Sequence, residues 1–306
     1  MVGPWAHATG RRTTAPDAPT AGPDRSPDFG PAAEIEMDKI YLRWHDYWLK
    51  GIDNGVDNEP PVKIFVMGEN YWRYEDEWPL ARTQYTRYYI DSGGRANSAN
   101  GDGVLSTSPP KGADSDAFTY DPANPVPSAG GNVCCSSVPE GAWDQRKVEI
   151  RDDVLVYTSA VLDEPLEVTG PIEMKLYAKA SARDTDWTAK LVDVHPDGYA
   201  QNIQDGIIRA RYRRGTDAPA ELLEPGAVVE YIIDMWATSH VFLAGHRLRL
   251  EVASSNFPRF DRNLNTGEDP ATGTRMVVAE QTVYHSSKYP SHVVLPVIPR
   301  ATTTSP

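Results

Sequence analysis

Beyond residue 60 the chain is written in a two-residue period, and that period commits it to sheet. Glu173-Met174-Lys175-Leu176-Tyr177-Ala178-Lys179 alternates polar with apolar side chains, as does Arg247-Leu248-Arg249-Leu250-Glu251-Val252. Successive side chains leave a strand on opposite faces, so such runs bury one face and wet the other. Runs rich in β-branched and aromatic residues recur at 62–66, 84–90, 117–120, 154–159, 166–168, 172–178, 187–194, 228–235, 247–253, 276–284 and 292–297. Turn-forming segments separate them, and 26 Pro, 23 Gly and 15 Tyr point away from a helical bundle. Many strands with almost no helical pattern between them predict a mainly β protein, a β-sandwich.

With 306 residues, 40% of them hydrophobic, the chain can bury a sizeable core in one large or two smaller domains. Its formal charge of −13 makes nucleic acid and anionic membrane surfaces unexpected partners. No apolar run reaches the length of a membrane span, and no basic-then-apolar leader opens the sequence. The compartment is left open, with the cytoplasm as the default. The two cysteines, Cys134 and Cys135, are neighbours. Adjacent Cα atoms lie about 3.8 Å apart, closer than disulfides prefer, so both are expected to be reduced in a loop.

The first sixty residues use another grammar. Met1-Val2-Gly3-Pro4-Trp5-Ala6-His7 is an apolar start broken by Gly-Pro, which places His7 on a loop just past the end of an element. Residues 9–33, rich in Pro, Gly, Ala, Asp and Arg, are expected to form a long surface loop, either a cover for a site or a plain connection. Over 34–50, Ile35, Ile40, Leu42, Trp44, Tyr47, Trp48 and Leu49 recur at helical spacing, with Gly51 as the stop. They predict an amphipathic helix packed on a sheet, with His45 at its surface. Residues 51–61 read as a turn-rich linker.

The phrase Gly3-Pro4-Trp5-Ala6-His7 resembles the histidine turn of CocE/NonD-type serine hydrolases, which include cocaine esterase, α-amino-acid ester hydrolases and X-Pro dipeptidyl-peptidases. Further phrases carry the resemblance along almost the whole chain in the family's order. They are Trp44-His45-Asp46-Tyr47-Trp48-Leu49-Lys50-Gly51, Pro61-Val62-Lys63-Ile64-Phe65-Val66-Met67-Gly68, Asp186-Trp187-Thr188-Ala189-Lys190-Leu191 and Ser255-Asn256-Phe257-Pro258-Arg259. The resemblance implies that His7 is the triad histidine. It also implies that the helix is the last one of an α/β-hydrolase domain and that the strands form a jelly roll of galactose-binding-like fold. In α/β-hydrolases the order is Ser, then Asp or Glu, then His, with the serine in a G-x-S-x-G elbow. No such elbow occurs in this sequence.

The chain is therefore expected to be the C-terminal portion of a longer esterase or peptidase, with serine and acid upstream and little activity alone. Residues 1–58 would be the end of the hydrolase domain, 59–300 the jelly roll, and 301–306 a disordered tail. The expected partners are a small ester or amide substrate and the upstream α/β domain, with a homo-oligomer compatible with either. No cofactor or metal is expected. A non-catalytic β-sandwich module that binds carbohydrate or another subunit is the alternative.

Other constellations have simpler readings. Asp184, Asp186, Asp193 and Asp197 could offer oxygens to calcium, but they lack EF-hand spacing and read as turn and strand-end residues. Glu75, Asp76 and Glu77 could do acid–base work, but adjacent carboxylates usually share a structural loop. Arg209, Arg211, Arg213 and Arg214 suit internal ion pairs or a protected sheet edge. His240 and His246 are conceivable metal ligands, but read more simply as the two ends of a turn between strands. Trp143, Trp187, Trp236 and Phe257 could line a sugar-binding face, although core or inter-domain anchoring accounts for most of them.

Overall fold

The computed structural model describes residues 1–7, 26–134 and 137–300. Within them lie one long helix, α1 (Met37–Lys50), and strands β1 (Val62–Val66), β2 (Tyr71–Glu75), β3 (Gln84–Asp91), β4 (Val104–Ser106) and β5 (Ala113–Tyr120). There follow β6 (Leu155–Thr158), β7 (Leu166–Ala180), β8 (Asp186–Val194), β9 (Ala200–Arg209) and β10 (Val229–Phe242). The series closes with β11 (Arg247–Ala253), β12 (Ala279–Ser286) and β13 (His292–Ile298). The expectation of a mainly β chain holds.

Strands β3 to β13 form one mixed sheet in the order β5-β12-β7-β13-β3-β4-β6-β11-β8-β9, with β10 on the free edge of β7. β7 is long enough to hold β10 along one edge and β13 followed by β12 along the other. The sheet folds over on itself. Leu176 of β7, Tyr231 of β10 and Val293 of β13 therefore share one core with Trp187 of β8, Leu250 of β11 and Tyr157 of β6. Both faces of β8 are covered, so all nine of its residues are buried. In β7 the polar–apolar alternation from Pro171 to Ala180 becomes an alternation of burial.

The structure departs from the sequence reading in several places. The runs at 166–168 and 172–178 are one strand, because Gly170 (φ 141°) carries β7 through Gly170-Pro171 without a turn. β10 does not stop at Met235. A bulge between Asp234 and Ala237 absorbs the irregularity and the strand runs on to Phe242. β2, β4 and β9 were not expected. β9 escaped because Gln201, Asn202, Gln204 and Asp205 make it look like a loop, yet all four are buried.

The largest correction concerns α1. Gly51 ends it in the left-handed conformation as expected, its N–H reaching the carbonyls of Asp46 and Tyr47. However, no residue of α1 is buried and no sheet of the described chain covers it. Leu42, Trp44, Trp48 and Leu49 all stand in solvent. Contacts to the segment that follows tether the helix: Arg43 to Glu59, Tyr47 to Asp57, and Asn54 exchanging hydrogen bonds with Arg43 (Nδ2 to O, 2.8 Å; Arg43 Nη2 to Asn54 O, 3.1 Å).

Candidate functional site around the N-terminal histidine turn

The first residues are built onto the β1–β2 hairpin. Val2 pairs in parallel with Ile64, its N–H donating to Lys63 O (2.8 Å) while Phe65 N–H donates back to Val2 O (3.0 Å). Trp5 then anchors the turn. Its Nε1 donates to Ala33 O (2.8 Å) and its ring lies 5.5 Å from that of Trp72. The hairpin is pinned to β10 in turn, with Met67 N donating to Ser239 O and Val241 N to Met67 O. Gly68 has to be glycine there: it holds φ 88°, and a Cβ would sit 2.2 Å from Val241 O.

His7 follows on an exposed bend, as the sequence predicts for a residue just past an element. Its main-chain N–H donates to Glu140 Oε2 at 2.9 Å. Glu140 belongs to the loop before β6, which is fastened to β9. Asn202 Oδ1 accepts from Trp143 N (2.5 Å), Asn202 N donates to Trp143 O (3.2 Å), and Trp143 Nε1 donates to Glu140 O (3.0 Å). The polar inner face of β9 thus carries the loop that holds the histidine turn.

Between these parts lies a cavity of about 600 Å³. Val2, Trp5, Phe29 and Phe65 give it an apolar wall, and Gln201, Gln204 and Asp205 a polar one. The polar wall is braced. Asp205 pairs with Arg259 and accepts from Asn256 Nδ2 (3.0 Å), while Gln204 accepts from Asn132 Nδ2 (2.9 Å) and donates to Ala237 O (2.9 Å). A volume of this order suits a small ligand or an inserted side chain. The lining's serine, Ser239, is spoken for by a hydrogen bond with Thr169 Oγ1 (3.0 Å). Sequence reasoning missed Glu140, Asn202 and the polar wall; the Ile207-Ile208 pair that ends β9 was the trace of a strand.

A serine–histidine–aspartate contact lies in the β-body, unforeseen from the sequence. Ser92 Oγ is 3.0 Å from His285 Nε2, and Asp91 Oδ1 is 3.3 Å from His285 Nδ1. Its geometry does not suit nucleophilic catalysis, which needs an Nε2 free to take the hydroxyl proton. Asp116 Oδ2 lies 2.9 Å from that same Nε2, and Ser92 Oγ donates to Asp116. Burial opposes charge on His285, but the hydrogen bond and charge of Asp116, helped by Asp91, raise its pKa. Burial likewise opposes charge on Asp116. The donors around it, His285, Ala96 N–H, Ser92 and Tyr157, nevertheless bring its pKa down. The group is a hydrogen-bonded staple across β3, β5, β6 and β12.

The remaining expectations resolve individually. Asp184 pairs with Arg211 and Asp186 with Arg209 (2.8 and 2.9 Å), while Arg213 and Arg214 both reach Glu221, so the basic run is a set of ion pairs. Asp197 is a turn residue, accepting from Tyr199 N. Asp193 is not: it lies inside β8, buried, and takes His240 Nε2 on Oδ2 (2.9 Å) and His246 Nδ1 on Oδ1 (2.8 Å). Burial raises the cost of its charge, but both histidines hold its pKa at about 2. His240 is within β10 rather than at a turn, and only His246 occupies the turn before β11. Glu75 is a buried partner of Arg73 and Arg82. Trp187 is core, Trp143 and Phe257 are half-buried, and Trp236 is exposed on the β10 bulge with φ 62°. His45 is exposed and Cys134 lies in an exposed loop; Cys135, residues 8–25 and the tail at 301–306 fall outside the described residues.

Residues 54–294 match the model of the X-Pro dipeptidyl-peptidase C-terminal non-catalytic domain. The chain is 44% identical over 307 residues to the cocaine esterase of Rhodococcus sp. (strain MB1 Bresler), covering 98% of this chain and 51% of that protein. Among solved structures, an α-amino acid ester hydrolase superposes with a TM-score of 0.73 at 29% identity, over 90% of this chain and 49% of the other. An aminopeptidase from a marine-sediment Thaumarchaeota archaeon gives 0.75 at 30% identity, over 88% and 46%. The chain thus spans about half the length of the relatives it matches. It belongs to the CocE/NonD hydrolase family, of which it represents the C-terminal part built on the X-Pro dipeptidyl-peptidase C-terminal domain.

Proposed function

We propose that this chain is the C-terminal portion of a serine hydrolase that cleaves ester or amide bonds, X-Pro peptide bonds among the candidates, and that His7 is its general base. The observation that carries the reading is the state of the N-terminal segment. His7 stands exposed on a turn whose main chain is fixed by Glu140, while α1, later in the same segment, leaves its apolar side chains uncovered among the described residues. A helix of fourteen residues gains little stability without a packed face, so α1 fits as the outer layer of an α/β-hydrolase domain contributed by residues this sequence does not contain. Residues 1–58 then close that domain, and 59–300 form a jelly roll of galactose-binding-like fold.

In the assembled site a serine hydroxyl from the upstream domain attacks the substrate carbonyl. The His7 imidazole takes the hydroxyl proton and returns it to the departing alcohol or amine, and an upstream carboxylate orients the ring. The contribution of this chain is geometric: Val2 on β1, Trp5 on Trp72 and Glu140 on the His7 N–H fix the loop against the β-body. Fixed placement of this kind is worth several orders of magnitude in rate.

The test is expression of this chain joined to the upstream half of a family esterase, with hydrolysis of p-nitrophenyl esters as readout. Activity that falls at least about 10³-fold on His7→Ala, with the melting temperature unchanged, supports the reading. Activity that survives His7→Ala removes His7 from the mechanism.

The cavity with its polar β9 wall favours a second reading, a module that binds a small polar ligand without chemistry. Saturable binding of simple sugars, lost on Gln204→Ala, supports it, and flat titrations up to tens of millimolar exclude it.

A further inference from the structure

At the end of β8, three histidines converge on one carboxylate. Asp193 is near the end of β8, His195 just beyond it, His246 in the turn before β11, and His240 in β10. The sequence offers Asp193, and separately His240 and His246, as conceivable metal ligands, but not their meeting with one another or with His195, because they come from three separate elements. One candidate donor atom from each of Asp193, His195 and His246 lies within 4.8 Å of the others. His246 Nδ1 is 2.8 Å from Asp193 Oδ1, and His195 Nε2 is 4.0 Å from Asp193 Oδ2. The rings of His195 and His246 lie 4.4 Å apart at 39°, which places two imidazoles side by side facing the carboxylate.

We propose that Asp193, His195 and His246 form a binding site for a divalent transition cation of the Zn²⁺ class. Two imidazole nitrogens and one carboxylate oxygen make a borderline donor set that suits Zn²⁺, Co²⁺ or Ni²⁺ better than Ca²⁺ or Mg²⁺. With the three atoms already within 4.8 Å of one another, small rotations of the side chains bring them to the spacing that metal–ligand bonds of roughly 2.0–2.2 Å require. Water completes the coordination. On binding, the His246 proton moves from Nδ1 to Nε2, leaving the Nδ1 lone pair for the metal.

Two further features fit a metal centre. His240 Nε2 holds Asp193 Oδ2 at 2.9 Å, the outer hydrogen bond that orients a ligating carboxylate. This imidazole is almost fully buried, and its Nδ1 has no partner, which fixes the proton on Nε2, where it is donated to Asp193. There is also a way in. The side chain of His195 is 27% exposed and borders a cavity of about 610 Å³ together with Gly198 and Gly245. Arg247 and Arg249 line that cavity too, but they are engaged elsewhere: Arg247 donates to Ser159 O, and Arg249 to Thr158 Oγ1 and Glu149. A cation here would tie the end of β8 to the β10–β11 turn.

The experiment is titration of the metal-stripped chain with Zn²⁺ by calorimetry and with Co²⁺ by visible absorption, with melting temperatures in Zn²⁺ and in EDTA. The site predicts one equivalent bound with micromolar or better affinity, a cobalt d–d band, and a rise in melting temperature of several degrees at a hundredfold excess over Kd. His195→Ala, a half-exposed change that leaves the Asp193 hydrogen bonds in place, abolishes all three. His240→Gln weakens binding by about 10–100-fold. His45→Ala on α1 changes nothing. Absence of saturable binding below about 100 μM, or equal binding by wild type and His195→Ala, overturns the proposal.

Discussion

A pair of tryptophan truncations measures how far α1 depends on this chain for its packing. Trp187 is completely buried on β8, with the rings of Phe118 and Tyr231 at 6.3 and 5.9 Å. Removing such a side chain forfeits its transfer free energy and leaves a cavity, so Trp187→Ala should cost about 3–5 kcal/mol. For a domain of this size 1 kcal/mol moves the melting temperature by roughly 2 °C, which gives a fall of about 6–10 °C. Trp48 is equally large but 59% exposed, and its ring contacts, Trp44 at 5.8 Å and Tyr47 at 5.0 Å, lie within its own helix. Intrahelical pairs of that kind contribute about 0.2–0.5 kcal/mol, so Trp48→Ala should move the melting temperature by about 1 °C at most. Differential scanning calorimetry of the two variants decides the matter. A fall of 5 °C or more for Trp48→Ala would mean that α1 is packed against the β-body, and the argument for a missing covering domain would lose its footing.

Other consequences follow from single contacts. Gly206→Ala should destabilise by at least about 2 kcal/mol, visible as a lower urea midpoint, because its Cβ would lie 2.1 Å from the Asp234 carbonyl where β9 passes β10. Lys190 is buried with its Nζ on Glu251 (3.0 Å) and Gln145 (2.7 Å). Lys190→Met strands the Glu251 carboxylate and should cost about 3–5 kcal/mol, much of it recovered in the double variant with Glu251→Leu. Burial first, then the charge of Glu251, push the Glu149 carboxyl above its ordinary range despite Arg249 and Lys190. A raised folded-state pKa stabilises below the unfolded value and loses that contribution as pH rises through the folded one. Glu149→Gln should therefore flatten the decline of melting temperature between about pH 4.5 and about 8; an unchanged decline assigns it to other groups. In the assembled enzyme, Glu140→Ala should lower kcat without shifting the melting temperature, since among the described residues Glu140 hydrogen-bonds the His7 main chain and its own loop.

The parts of the fold that were legible in the sequence are those where chemistry and burial share a period. β7 was readable because Met174, Leu176 and Ala178 face one core while Glu173 and Lys175 face outwards; in β11 Leu248, Leu250 and Val252 face that core too, although Glu251 between them is buried on Lys190. β9 breaks that link: Asn202 and Gln204 are buried against a loop and a polar cavity wall, so their polarity read as exposure. The helix was legible but its covering was not, because amphipathicity shows that a face wants a partner without showing which residues supply it. His7 was found through a short phrase whose Gly-Pro break dictates a loop. Glu140 was not, because its contact spans 133 residues and uses a main-chain N–H that leaves no mark in the sequence. The meeting of Asp193 with the histidines stayed hidden for the same reason, being assembled by the pairing of β8 with β11 and by a side-chain contact from β10, which pairs with β7.

The central claim is that this chain brings the histidine of a serine-hydrolase triad and not its nucleophile. Fluorophosphonate labelling of the purified chain, read by intact mass, tests it most directly. The account predicts no adduct at reagent concentrations that fully label a complete family esterase. A stoichiometric adduct on any serine, Ser92 beside His285 being the first to inspect, would show that the nucleophile is present and that the reading of this chain as the histidine-bearing portion is wrong.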